Sequence, residues 1–270
     1  GYTRLEKRLM RRYCTRCYPR DTRTAEELSK ARIASTFVGN PMMDDLRGAG
    51  ACLTLPNDAM VVACLPGSRD DAEANAAQIL SLVADDAAAW ERSEPVAFIF
   101  AVAARFEVER AWRALSARAL SAWRRAVPRS GSDSRGVVLE AHLTTRISAQ
   151  FLKGRFADVM QCARVAIGLA GTANEQAIGL GVPLVTFATN AVQGQAYFRM
   201  KMRFFGAAAI ETAATGPALR QAVQRVSGDE VQRARMTAEG RARMGEPGAS
   251  DAIARDILAM LAPHRRDSSA

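Results

Sequence analysis

Two short stretches carry residue types that can hold an anion. Leu65-Pro-Gly-Ser-Arg69 follows the apolar run Met60–Leu65 and precedes a helical pattern that starts at Asp70. A glycine in such a turn lets backbone N–H groups approach a bound group closely, and a helix N-terminus adds a field favourable to negative charge. Ser68 supplies a hydroxyl. The planar guanidinium of Arg69 can fork onto two phosphate oxygens, which a lysine ammonium cannot reproduce. The stretch Gly168-Leu-Ala-Gly-Thr-Ala-Asn-Glu-Gln-Ala177 repeats the order of apolar run, glycine turn and helix. Gly171 and Thr172 offer backbone and hydroxyl donors to phosphate, while Glu175 and Gln176, one turn into the helix, can accept hydrogen bonds from ribose or sugar hydroxyls.

Both stretches also have plain structural readings. The first can be a tight strand-to-helix turn with a surface arginine. The second can be a capped helix, with Thr172 as N-cap and Glu175 in the capping-box position. Neither is GxGxxG nor GxxxxGK[ST], so dinucleotide dehydrogenases and P-loop triphosphatases lose their main support. Two anion-friendly turns at strand ends of one sheet suit a nucleotide diphosphate whose remainder projects into a cleft.

The elements that must position these turns follow from periodicity. Apolar strands are expected at Met60–Leu65, Val96–Val102, Val137–Glu140, Ala163–Leu169 and Val182–Phe187, and they read as apolar on both faces, as covered parallel strands do. Helical patterns alternate with them, one over Asp70–Val83 and one running from Val108 to Leu120. Short helices follow at Phe156–Cys162 and from Gly171 to near Gly179 or Gly181. The chain then ends in helices over Gln195–Phe205, Gly216–Val226, Asp229–Met244 and Ser250–Leu261. Near the start, Thr22–Arg32 reads as a helix capped by Thr24, and Ser35–Val38 as a short strand. Arg47–Asp58 reads as a linker and Arg124–Arg135 as a mobile loop. The alternation gives an α/β fold with a doubly wound parallel sheet, whose strand-end loops gather on one edge.

The chain has 270 residues, of which 49% are hydrophobic and 24% charged, values that fit a folded core and argue against disorder. The net charge of +9 is concentrated partly at the start, where Arg4, Lys7, Arg8, Arg11, Arg12, Arg16 and Arg20 face only Glu6. Such a run can meet anionic lipid, nucleic acid or a phosphorylated ligand, or simply be a solvated helix. No RNA-binding signature or zinc-finger spacing accompanies it, so nucleic acid is the less favoured partner. Cys14 and Cys17 form a CxxC, but Cys52, Cys64 and Cys162 supply no second one, and His142 and His264 are the only histidines. A tetrahedral zinc site needs four ligands, so neither metal nor redox chemistry is assigned. No uninterrupted apolar stretch approaches the ~20 residues that cross a bilayer.

Four motifs, in order, carry a family resemblance: Phe37-Val-Gly-Asn-Pro-Met-Met-Asp44, Leu65-Pro-Gly-Ser-Arg69, Gly171-Thr-Ala-Asn-Glu-Gln-Ala-Ile-Gly-Leu-Gly-Val-Pro183 and Arg243-Met-Gly-Glu-Pro-Gly-Ala249. With these the sequence resembles lipid-A-disaccharide synthase and its related proteins. They belong to the two-domain (GT-B-type) glycosyltransferases, a group that also includes UDP-N-acetylglucosamine 2-epimerases. The resemblance implies that 1–46 is the end of an N-terminal Rossmann-like domain, 47–58 a linker, and 59–245 a nucleotide-sugar donor-binding domain. It further implies that 246–262 is a helix returning towards the N-terminal domain, with a tail at 263–270. It implies transfer of a sugar from a UDP-sugar to a lipid or phosphorylated-sugar acceptor, without a cofactor, in the cytoplasm and at a membrane surface. A UDP-N-acetylglucosamine 2-epimerase-like enzyme and a non-catalytic nucleotide-sugar or nucleic-acid-binding domain are the alternatives.

By the same resemblance Gly67, Ser68, Arg69, Gly171 and Thr172 surround the donor diphosphate. Asn174, Glu175, Gln176 and Gln193 meet its ribose or sugar. The family's ribose-gripping glutamate falls on Gln176 here, with Glu175 one residue earlier. The loop Ala188–Gly194 matches the related proteins' Gly-Pro-Gln loop only at Gln193. No residue is singled out as a catalytic base, and His142 has no Asp or His partner in the pattern.

Overall fold

The computed structural model describes residues 2–46, 48, 58–126, 136–189 and 194–261. The chain divides into two compact units, one formed by Gly1–Asp45 with Arg243–Ala270 and the other by Leu46–Ala242. Apart from residues 48 and 58, the stretch read as a linker lies outside the described residues, as do the tail 263–270 and Gln193.

In the larger unit the chain runs β1 (Met60–Leu65), helices that follow α1 (Arg4–Tyr13) and α2 (Thr22–Lys30) in numbering, namely α3 (Ala72–Asp85) and α4 (Ala87–Glu91), then β2 (Val96–Val102). Two short helices, α5 (Val108–Arg113) and α6 (Ala117–Ala122), lead to β3 (Arg124–Ala126), β4 (Val137–His142) and β5 (Ile147–Lys153). Next come α7 (Phe156–Cys162), β6 (Val165–Gly168), α8 (Thr172–Gly179), β7 (Leu184–Thr186), α9 (Gly194–Phe205) and β8 (Ala209–Glu211). Helices α10 (Gly216–Gly228) and α11 (Glu230–Met244) close the unit, and α12 (Ala249–Leu261) belongs to the smaller one.

The strands form one sheet in the order β3-β4-β5-β2-β1-β6-β7-β8. All neighbours from β5 through β8 pair in parallel, whereas β4 runs antiparallel to both β5 and β3. The sheet is therefore Rossmann-like and mixed, which corrects the purely parallel expectation at one edge. The cause is loop length: only Leu143–Arg146 separates β4 from β5, enough for a hairpin and far too little for a parallel crossover. An antiparallel edge on an otherwise parallel sheet is a common arrangement.

Other expectations are adjusted locally. The helix expected from Val108 to Leu120 breaks at Ser116, whose Oγ accepts the Ala119 N–H at 3.2 Å and starts α6. The basic stretch read as a loop begins with strand β3, and its remainder, 127–135, lies outside the described residues. Helix α2 is capped by Asp21, which accepts from the backbone N–H of Thr24, so Thr24 is not the cap. Ser35–Val38 is not a strand; only Ser35 forms an isolated bridge, with Cys17.

The core follows from burial on both sheet faces. Every residue of β1 is buried, and Phe100 stacks on Phe151 of the neighbouring β5 with centroids 4.2 Å apart. Trp90 meets Phe98 edge-on at 5.2 Å.

In the smaller unit the Phe37–Asp44 motif acquires a structural role. The Asp44 carboxylate accepts from the backbone N–H groups of Gly248, Ala249 and Ser250, at 2.5, 3.3 and 2.7 Å, and so caps the start of α12. The Ser250 hydroxyl and these amides hold the Asp44 carboxyl below the usual carboxylate range. A depressed folded-state pKa stabilises the fold above the unfolded value of about 4, and that contribution is lost as pH falls through the lower folded value. Asp44→Ala is expected to cost about 1–2 kcal/mol, the range for loss of a helix cap. Hydrogen exchange of the α12 amides checks this: protection should drop in the variant at pH 7, and in the wild type only below about pH 4. Equal α12 protection in both proteins at pH 7 would remove the cap from the account.

Candidate functional site

The register of β1 against β6 decides where the two glycine turns lie. Leu65 pairs with Gly168, the last residues of adjacent parallel strands, so both turns leave the same edge side by side. From β1 the chain first builds the sheet outward through β2, then returns to build the other side from β6. Such a reversal of strand order opens a crevice at the strands' carboxyl ends, where α/β sheets take their ligands.

The crevice is real here, a cavity of about 440 Å³. Its wall includes Gly67, Ser68 and Arg69 from the first turn and Gly171, Thr172, Asn174 and Gln176 from the second. Gly67 has φ +107°, a conformation that only glycine adopts without strain. A Cβ placed there would lie 3.8 Å from the Ala170 Cα, so the two turns face one another closely. Buried Asn75 fixes the first turn from below, donating from Nδ2 to the Pro66 carbonyl at 2.9 Å. Ser68, Arg69 and Thr172 are exposed, with their polar groups free to meet a ligand from solvent.

Helix α8 begins at Thr172 with Gly171 as its N-cap, and no side chain caps it. Thr172 is therefore not the cap, and the capping-box alternative for Thr172 and Glu175 does not form. First-turn amides without a side-chain acceptor are the groups a helix offers to an anion. Asn174 is 3% exposed and its Oδ1 has no hydrogen-bond partner, a costly arrangement for a buried acceptor unless a donor arrives. Glu175 is buried and not part of the cavity wall; its carboxylate pairs with the Lys201 ammonium.

Helix α9 supplies a wall that sequence reasoning missed. Tyr197, Phe198, Lys201, Met202 and Phe205 all line the cavity. The signal that could have found them is the spacing of Tyr197, Lys201 and Phe205, four apart and hence on one helical face. His142 is not part of the wall; it lies on β4 with Nε2 3.3 Å from a Glu140 oxygen. Burial pushes the Cys17 thiol up, and among the described residues no group of three or more His, Cys, Asp or Glu could hold a metal ion. No described helix is long and apolar enough to cross a membrane.

No family model matches the chain. Over 48 residues it is 50% identical to the lipid-A-disaccharide synthase of Burkholderia cenocepacia (strain HI2424), a match covering 16% of this chain and 12% of that protein. The fold aligns with S. aureus MnaA in its UDP co-structure at a TM-score of 0.55 and 14% identity, covering 90% of this chain and 60% of that one. It aligns with the UDP-GlcNAc 2-epimerase of Neisseria meningitidis bound to UDP-GlcNAc at a TM-score of 0.54 and 12% identity, covering 90% and 61%. This chain thus spans about three-fifths of those solved chains, and its match spans about an eighth of the synthase. The structural likeness shows the fold alone, a Rossmann-like mixed sheet that aligns with both of those chains.

Proposed function

We propose that the cavity holds the diphosphate of a UDP-sugar. Gly67, Ser68, Arg69, Gly171 and Thr172 surround the phosphates, and Asn174 and Gln176 meet the ribose or sugar. The observation that carries this reading is the Leu65–Gly168 register, which sets two glycine turns and an uncapped helix start on one cavity. The remaining wall is largely apolar, as a site that must also take a flat base and a sugar requires.

Of the two reactions open to such a fold, inversion at C2 of the sugar is better supported than transfer to a lipid or phosphorylated-sugar acceptor. The likeness to the 2-epimerase extends over 90% of the chain, whereas the likeness to the synthase rests on 48 residues. Peripheral attachment to a membrane in the cytoplasm belongs to the transfer reading and stands or falls with it.

Calorimetric titration with UDP and UDP-N-acetylglucosamine tests the site. Loss of a hydrogen-bonded charge costs about 1.5–3 kcal/mol, so Arg69→Ala should weaken UDP roughly tenfold or more. Unchanged affinity takes Arg69 out of the site, and no UDP binding by the wild-type chain ends the reading. Proton NMR of incubations with UDP-N-acetylglucosamine then separates the reactions. The C2 epimer marks epimerisation, and free UDP appearing only with an acceptor marks transfer.

A further inference from the structure

Among the described residues the cavity wall holds two cations, Arg69 on the β1–α3 turn and Lys201 on α9. Their surroundings differ. Arg69 is exposed, whereas the Lys201 side chain is 14% exposed and its ammonium pairs with a Glu175 carboxylate that is 2% exposed. The rings of Tyr197, Phe204 and Phe205 surround the same ammonium at 5.5, 5.9 and 6.0 Å. A charge pair this enclosed loses hydration that a lysine in water would keep, and an apolar pair of similar volume often serves stability as well. Its position is more informative. Tyr197, one turn before Lys201, has its hydroxyl 3.8 Å from where a Cβ on Gly171 would sit, so this face of α9 stands over the start of α8. Glu175 lies one turn into α8 from Gly171, about 6 Å along the axis. The ammonium is thereby held one helical turn from uncapped amides, on the wall of the same cavity. An ammonium has three donors, so the Glu175 contact leaves capacity for another acceptor.

We propose that Lys201 is the cationic contact for the phosphate nearest the start of α8, and that Glu175 is a positioning residue that holds it there. The proposal rests on the UDP-sugar reading and deepens it. Arg69 and Lys201 reach the cavity from different elements, so a ligand with two phosphates engages both and a ligand with one engages a single cation. Selectivity for diphosphate over monophosphate then follows from the spacing of two cations. The glycine turns alone do not provide it. Glu175 acts through Lys201 and needs no ligand contact of its own.

Calorimetric titration with UDP and with UMP separates these roles. Lys201→Met should weaken UDP tenfold or more while leaving UMP within twofold. Lys201→Arg should retain most of the preference. Glu175→Gln should weaken UDP when Lys201 is present and add nothing in the Lys201→Met background. Because Lys201→Met strands a buried carboxylate, the double variant Glu175→Gln/Lys201→Met is the check on folding. It removes both charges together, should melt close to the wild type, and should show the same collapsed UDP-to-UMP ratio. Arg69→Ala run in parallel distinguishes the failures. If Arg69→Ala weakens UDP but Lys201→Met does not, or if Lys201→Met weakens UDP and UMP by one factor, the Lys201 assignment is overturned and the site stands. Wild-type protein that binds no UDP overturns both.

Discussion

Gly240→Ala is expected to destabilise the sheet-containing unit by about 3 kcal/mol or more, although alanine is the better helix former by about 1 kcal/mol. Gly240 lies inside α11, where a glycine normally weakens the helix. Here the missing side chain is what lets α11 approach α8. A Cβ on Gly240 would stand 2.2 Å from the Ile178 carbonyl oxygen and 2.9 Å from its carbon. Those are backbone atoms of a residue that is 1% exposed, so no rotamer change relieves the overlap and one helix must move. Helix α8 carries the candidate site at its other end, so UDP affinity should fall with stability. Urea unfolding followed by circular dichroism measures the first effect and calorimetry the second. Gly228→Ala is the control. A Cβ there meets nothing within 4 Å, and the substitution should stabilise by up to about 1 kcal/mol. A Gly240→Ala protein as stable as the wild type would mean that α11 and α8 are not packed backbone to backbone.

The legible parts of this chain are those whose signal is local. Strands β1, β2, β6 and β7 are continuous apolar runs because helices cover both faces of the sheet, and any reading of hydropathy finds them. Strand β5 is central in the same sheet yet hides, because Ser148 and Gln150 interrupt its apolar residues while being 4% and 7% exposed. Burial of those polar groups is decided by the neighbours β2 and β4, which local sequence does not name. The two turns could be read as anion sites from glycine position alone, but their adjacency depends on strand order, a property of the whole sheet. Glu175 shows the limit most clearly. Its sequence neighbours allow a helix cap or a ligand contact, and the partner it has, Lys201, lies 26 residues away on another helix. Asp44 is similar. Its motif is conspicuous in the sequence, while the amides it caps are more than 200 residues distant.

The same logic fixes what Gly168→Ala should do at the floor of the cavity. Gly168 ends β6 beside Leu65, and a Cβ there would lie 2.3 Å from the Asn174 Oδ1 and 2.5 Å from the Leu184 Cδ1. Both neighbours are side chains, which in open space would move aside cheaply. Here Leu184 is 0% and Asn174 3% exposed, so each must push on packed atoms. Overpacking of this kind costs about 1–3 kcal/mol, and about 2 kcal/mol is expected. The displaced group is a buried acceptor of the wall without a donor, so binding of UDP-N-acetylglucosamine should weaken roughly tenfold, about 1.4 kcal/mol. Adding Asn174→Ala separates the two losses. It removes the nearest clash and gives Leu184 room to tilt, so the double variant should regain most of its melting temperature. It should not regain ligand affinity, because the acceptor is gone. Recovery of both together would show that Asn174 merely fills space, and a Gly168→Ala protein that melts and binds like the wild type would show that the floor of the cavity is looser than its burial indicates.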